Sequence, residues 1–309
     1  MNIEQVDYFL PEKYENIYQA SKRLNIEPMQ AKVFERMFGL KKIPLDSSLL
    51  VETMLLDVAS RCLQNAGVTA QQVRWIIHSH TATHISPFGM SPVRYVQQML
   101  NLNEATAFGM SMNKCGSVFV ACELAEELLV GMNNDEFVLI LIGDVTFTEI
   151  LQFIPGTTVT SDGACAILLS KKGNKNKFLT AEIQTHGEFA GGIWGQKDTH
   201  QKFEKNYSRY LADVIQKVIL KAGLKPDNIK YIFPHNVNVI SWQQTAKLLN
   251  MPISQVFLNN VSETAHCFGS DPLINFKNSS DHGLLKRGDY FVLATVGLGA
   301  TFGALVFQH

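Results

Sequence analysis

The sequence predicts an α/β fold made of two related halves. Two observations carry that expectation: strand-like and helix-like apolar patterns alternate along the chain, and one helix–turn–strand unit occurs twice. Composition agrees. The chain has 309 residues, 46% hydrophobic and 18% charged, enough for one large core or two smaller ones that share a sheet.

Taken in order, apolar residues at spacings of three and four predict helices near residues 51–66, 115–131, 206–222 and 241–249. Short apolar runs predict buried strands at Trp75–Ile77, Phe137–Ile142, Ala164–Leu169 and Tyr290–Thr295. Residues 57–77 (DVASRCLQNAGVTAQQVRWII) align without a gap on residues 213–233 (DVIQKVILKAGLKPDNIKYIF), at a constant offset of 213 − 57 = 156. Asp57/Asp213, Val58/Val214, Ala66/Ala222, Gly67/Gly223 and Ile76/Ile232 are identical pairs. Each copy is a helix, an Ala-Gly stop suited to a left-handed C-terminal position, a short loop and a strand. The polar stretch KKGNKNK at 171–177 marks the internal boundary, dividing the chain into halves 1–172 and 173–309. A duplicated chain of this kind is expected to place its site at the seam.

Charge and cysteine usage exclude several classes. A net charge of −1 gives no electrostatic case for nucleic acid or an anionic membrane. The N-terminus MNIEQVDYFL shows no secretory pattern, and no apolar run reaches the roughly 18 residues of a membrane span. Five cysteines, an odd number without paired spacing, fit a reducing compartment, so a cytoplasmic protein is expected.

Two of those cysteines stand seven residues apart in NKCGSVFVACELAEELL, residues 113–129. Cys122 falls on the apolar stripe with Val118, Ala121, Ala125, Leu128 and Leu129 and reads as a small core hydrophobe. Cys115 instead falls at the first turn, beside Gly116, where free backbone N–H groups and the helix dipole favour a thiolate. It is the candidate nucleophile.

These residues also carry a family resemblance. Tyr8-Phe9-Leu10-Pro11-Glu12-Lys13, Lys114-Cys115-Gly116, Ser161-Asp162-Gly163-Ala164-Cys165-Ala166 and Gly297-Leu298-Gly299-Ala300-Thr301-Phe302-Gly303-Ala304 together resemble a β-ketoacyl-(acyl carrier protein) synthase III-type member of the thiolase superfamily. The resemblance covers nearly the whole chain and rests on the order and spacing of its motifs. It implies a duplicated, five-layered αβαβα fold and a homodimer, with the apolar stretch before Cys115 near the contact. It further implies an acyl-Cys115 intermediate formed from an acyl-CoA or acyl carrier protein thioester, with no cofactor, in fatty acid or polyketide biosynthesis.

By the same resemblance, Pro234-His235-Asn236-Val237-Asn238 takes the place of the family's His-Gln-Ala-Asn segment, with His235 as its catalytic histidine. Simple pairing with backbone is the plain alternative for a histidine just past a strand. Where condensing members carry a second catalytic Asn, six residues after an earlier one, this chain keeps Asn260 but has His266. Asp271 follows five residues later. Two uses of this replacement stay open. Neutral His266 can donate an N–H to an oxyanion, as the Asn would, so a Cys–His–His set could still carry out decarboxylative condensation. Alternatively, Asp271 fixes the tautomer of His266, which then acts as base toward a hydroxyl or amine, as in the ester- and amide-forming relatives. For Asp271 itself, Ser270-Asp271-Pro272-Leu273-Ile274 equally suits a helix N-cap with Pro at N1. The Arg that often aids carrier docking in the family is replaced by Ile240. These departures together favour transfer to a hydroxyl or amine over condensation.

The loop Gly297-Leu298-Gly299 implies an oxyanion hole from the Gly299 and Cys115 N–H groups; a tight hairpin turn is the plain reading. A dinucleotide fingerprint is excluded, because no helix and βαβ unit follow. Arg36, Asn238 and Asn260 are the substrate-binding candidates, Arg36 with only a loose local match and a plain alternative as an exposed helix-face residue. His78, His80 and His84, alternating at a strand end, raise a rival class, a metal-dependent hydrolase. No metal is expected there, since no nearby acid or thiol completes the set. A non-catalytic partner subunit of a synthase pair is the other rival, disfavoured by the presence of Cys115 and His235.

Overall fold

The structure, a computed structural model, describes residues 1–82 and 91–309. Nine strands form the main sheet: β1 (Asn2–Phe9), β2 (Val73–Ser79), β3 (Thr106–Met110), β4 (Phe137–Asp144), β5 (Gly163–Ser170), β6 (Lys177–Thr185), β7 (Ile229–Pro234), β8 (Tyr290–Gly297) and β9 (Thr301–Gln308). The helices that pack on it are α1 (Val51–Ala66), α2 (Pro92–Met99), α3 (Ser117–Val130), α4 (Lys197–Lys221), α5 (Val239–Leu248) and α6 (Asp271–Asp281).

The order across the sheet is β7-β8-β9-β6-β1-β5-β4-β2-β3. Read outward from its middle, the pairing repeats. On one side β1·β5 and β5·β4 are antiparallel and β4·β2 parallel; on the other β6·β9 and β9·β8 are antiparallel and β8·β7 parallel. Even the outermost parallel pair, β2·β3, has a counterpart in the parallel bridge Ile232↔Val256. The sequence repeat maps α1 and β2 onto α4 and β7. Both helices stop at a glycine in the left-handed region, Gly67 at φ +65° and Gly223 at φ +72°, where nothing crowds a Cβ and backbone conformation alone accounts for the residue.

Alternation along the strands divides the core into layers. Leu139 and Leu141 of β4 face α1 and α2, packing with Met54, Val58, Cys62 and Val96. Val138, Ile140 and Ile142 face the other way, onto Val118, Ala121, Cys122 and Ala125 of α3. That same middle cluster takes in Leu273 and Phe276 of α6 and Phe233, Phe291, Leu293 and Phe307 from the second group of strands. Beyond those strands, Val292, Ala294 and Val306 pack on Leu211, Val214, Ile215 and Val218 of α4 and Trp242 of α5. The layers are therefore helices, sheet, α3 with α6, sheet, helices: the expected αβαβα body.

Three elements differ from expectation. α4 begins nine residues before 206, because residues 197–205 are polar apart from Phe203 and the apolar period starts only at Leu211. α6 is foreshadowed only by the helix start that Ser270-Asp271-Pro272 suits, and not by an apolar stripe through Asp281, because its apolar residues are buried around its circumference. β1 carries Glu4, Gln5 and Asp7 at the centre of the sheet. Asp7 is nevertheless partnered by Arg61 and by Asn65, which donates to its carboxylate at 3.1 Å.

Candidate active site

The α3 helix starts two residues later than the expected 115, and a short 3-10 turn, Lys114–Gly116, presents Cys115 ahead of it. Lys114 takes a positive φ of 53°, a conformation that costs a non-glycine residue about 1–2 kcal/mol and aims the next side chain out of the helix line. Asn113 holds this turn twice: its backbone N–H donates to Ser117 Oγ at 3.1 Å and its side chain donates to Thr301 Oγ1 at 3.1 Å. Gly297, at the end of β8, lies against the same turn. An added Cβ there would overlap the Asn113 carbonyl and come within 2.9 Å of the Gly116 nitrogen. Thus the close approach belongs to Gly297, while Gly299 sits two residues on, half-buried in the β8–β9 turn at φ +123°.

Across the seam, His266 is delivered by a second strained segment. Ala265 before it has φ 49° and ψ −142°, and Phe268 after it has φ 51°. Its Nε2 lies 3.7 Å from Cys115 Sγ, and its Nδ1 lies 2.6 Å from Asp271 Oδ2. Asp271 is fully buried and accepts two further bonds, from the N–H groups of Asn236 (2.6 Å) and Cys267 (2.8 Å). The cap reading of Asp271 is therefore corrected: Ser270 is the N-cap, Asp271 is the first helical residue, and its oxygens serve His266 and two loop amides rather than the first turn of α6. Burial alone would depress the His266 pKa, but the Asp271 carboxylate, together with contact to Cys115, raises it to about 10.

His235, just past β7, is also fully buried, its ring centroid 6.1 Å from that of His266. Burial, and then the charge of His266, hold its pKa down to about 3, so it is the neutral member of the pair. Its Nε2 is 2.5 Å from the phenol oxygen of Tyr207 on α4. Cys115, His235, His266 and Asp271 are thus gathered from both halves of the chain.

The other candidates lie elsewhere. Asn260 donates to Asn275 Oδ1 at 2.7 Å, and Asn275 in turn donates to Asn236 and to the Pro234 carbonyl, a buried amide network beneath the relay. Asn238 caps α5, accepting from the Ser241 N–H at 2.8 Å. Arg36 is exposed at the end of the helix Pro28–Arg36. Cys122 is buried among the α3 core residues, where desolvation pushes its thiol up to about 12. His78 and His80 stack with ring centroids 4.7 Å apart and each places a ring nitrogen near a backbone carbonyl, of Gly143 and Ala82 respectively. His84 lies outside the described residues, and among the described residues no group of three or more His, Cys, Asp or Glu is placed to hold a metal.

Three contributors had no sequence signal. Tyr207 lies in the polar opening of α4. Thr81 donates from Oγ1 to Cys115 Sγ at 3.5 Å, and Asp144 anchors that loop by accepting from the N–H groups of Thr81 and Ala82. Each acts across 28 or more residues of separation, which no local pattern records.

The duplicated αβαβα body, with a cysteine ahead of a buried helix and against His266, has the thiolase-like architecture. Residues 219–309 match the family described as 3-oxoacyl-(acyl-carrier-protein) synthase III C terminal. The chain is 28% identical over 273 residues to β-ketoacyl-(acyl-carrier-protein) synthase III of Sphingopyxis alaskensis, covering 83% of each chain. Among solved structures, ChlB3, an acyltransferase, superposes with a TM-score of 0.87 at 19% identity, over 99% of this chain and 97% of that one. The 3-oxoacyl-(acyl-carrier-protein) synthase III of Aquifex aeolicus gives 0.84 at 21% identity, over 100% and 99%. The chain is thus similar to β-ketoacyl-(acyl carrier protein) synthase III proteins over most of its length, and its C-terminal part matches the C-terminal model of that family.

Proposed function

We propose that the protein is a thioester-dependent acyltransferase that carries its acyl group on Cys115 and delivers it to a hydroxyl or amine. The observation that carries this reading is the Asp271–His266–Cys115 line, with 2.6 Å between carboxylate and Nδ1 and 3.7 Å between Nε2 and sulfur. Acyl-CoA or acyl carrier protein is the donor class, supported by the synthase III relatives; no cofactor is required.

In the first step the Cys115 thiolate, paired with the His266 imidazolium, attacks the thioester carbonyl. The N–H groups of Cys115 and Gly299 receive the oxyanion, and the donor's C–S bond breaks as His266 gives its proton to the departing thiolate. Acylation removes the sulfur's charge, one of the contributions that hold the His266 pKa high, and leaves a neutral imidazole. Asp271 keeps the remaining proton on Nδ1, so Nε2 accepts the proton of the incoming hydroxyl or amine as it attacks the acyl carbon. The C–S bond to Cys115 then breaks and the thiolate–imidazolium pair returns. In this reading Asn238 and Asn260 hold the scaffold rather than the substrate, since their amides are engaged within the protein.

Incubation with labelled acyl-CoA donors and intact-mass analysis tests the first step. Wild type gains one acyl mass and Cys115→Ala gains none; a wild type that stays unlabelled across a donor series from acetyl to long chain overturns the assignment.

A further inference from the structure

His235 raises a separate question, because a condensing site needs it to donate. Decarboxylative condensation breaks the bond between the malonyl carboxylate and its methylene, sends that electron pair toward the thioester oxygen as CO2 leaves, and depends on N–H donors aimed at that oxygen. A neutral imidazole has one donor and one acceptor. In this chain Nε2 of His235 is 2.5 Å from Tyr207 Oη, closer than any other side-chain partner His235 has in the structure.

The phenol is held there by packing. Its ring lies edge-on to Phe203 and tilted against Phe302, with centroids 5.5 and 5.9 Å away, and edge-on to His235 at 6.3 Å. The residue as a whole is half-buried, but the hydroxyl is enclosed, and its burial, with Cys115 nearby, pushes its pKa far above the ordinary value. Tyr207 is therefore a neutral O–H donor facing an uncharged imidazole. The His235 backbone is fixed as well, its carbonyl accepting from Trp242 Nε1 at 2.9 Å, and its ring packs edge-on against that indole with centroids 5.4 Å apart.

We propose that the Tyr207 hydroxyl donates to Nε2 of His235 and withdraws this histidine from the oxyanion role, making Tyr207 a positioning residue that selects acyl transfer against decarboxylative condensation. The inference rests on the acyl-Cys115 reading and adds to it the residue that closes the competing reaction. Tyr207→Phe keeps the ring and its packing while removing the donor, which frees Nε2 to carry the proton.

The test compares wild type and Tyr207→Phe for release of labelled CO2 from malonyl-CoA. Nitrogen-15 NMR of the His235 ring, assigned by difference against His235→Asn, reports its tautomer. The expected result is proton on Nδ1 and background CO2 release in wild type. In Tyr207→Phe the proton moves to Nε2 and CO2 release rises by about 10²-fold or more, the lower side of what one oxyanion donor is worth. A loss of structure would not produce that gain. A wild-type proton on Nε2, or no gain of CO2 release in a folded Tyr207→Phe, overturns the inference. Adduct mass on wild-type Cys115 in the same samples separates the failures. With an adduct present, only the Tyr207 role falls; with none, the acyltransferase reading falls and takes this one with it.

Discussion

Replacing Asp271 with asparagine perturbs the relay without opening a cavity. The carboxylate accepts three N–H donors, from His266, Asn236 and Cys267, whereas an asparagine amide offers one accepting oxygen. With that oxygen toward Cys267, the amide NH2 faces both the Asn236 N–H and His266, and the imidazole must move its proton to Nε2. With the oxygen toward His266, the Cys267 N–H is orphaned. Either arrangement leaves at least one buried donor unpaired, worth about 1–3 kcal/mol. At about 2.1 cal/mol/K per residue the unfolding entropy of 309 residues is about 0.65 kcal/mol/K, so Tm falls by about 2–5 °C. The catalytic cost is larger. A His266 protonated on Nε2 cannot take a proton from an acceptor, and a carboxylate that sets the tautomer in such a triad is worth on the order of 10⁴ in rate. Single-turnover experiments load Cys115 with labelled acyl-CoA, remove excess donor, add a hydroxyl or amine acceptor and follow loss of the adduct by mass. The expected outcome is transfer slowed by about 10³–10⁴-fold. Transfer in Asp271→Asn within about tenfold of wild type would refute the relay. The pH dependence supplies a second check. Because the folded pKa of His266 lies above its ordinary 6.5, its contribution to stability is complete below 6.5 and lost as pH rises toward about 10. Wild type loses that increment across this window, and Asp271→Asn does not.

Gly297→Ala drives a methyl group into the Asn113 carbonyl, so the turn carrying Cys115 must shift; acylation is expected to fall by about 10²-fold, the effect of a misplacement near 1 Å, with circular dichroism confirming the fold. Asp144→Asn probes the loop that carries Thr81. Burial raises the Asp144 pKa to about 7 despite its amide hydrogen bonds, so its contribution is complete below the ordinary 3.8 and falls as pH rises through about 7. Melting curves across that range should show wild type losing up to about 1.4 kcal/mol per pH unit relative to Asp144→Asn; parallel curves would remove the assignment.

Much of this molecule is local in origin. The 3.6-residue stripe of α1, the apolar runs of β4 and β8 and the Ala-Gly stops at 66–67 and 222–223 follow from short-range sterics and burial, and the 156-residue offset between copies exposed the duplicated topology. Cys115 was legible because a cysteine beside Gly116 at a helix start is a local pattern, and His235 and His266 because they occupy positions in a family motif. Asp271 was half legible: the residue could be singled out, but Ser-Asp-Pro reads equally as a cap, and only the path of residues 265–268 decides which way its carboxylate turns. Tyr207, Thr81 and Asp144 left no trace, because each works through hydrogen bonds to residues distant in sequence. Sequence alone settled α1, α3 and α5 and the strands β2, β4, β5 and β8, since those choices are made within a few residues. The tertiary structure decided which nitrogen meets which oxygen, since directional bonds of 2.5–2.8 Å form only once α4, β7 and the segment 265–271 have packed together, and the 3.7 Å approach of His266 to Cys115 only once the two halves have met.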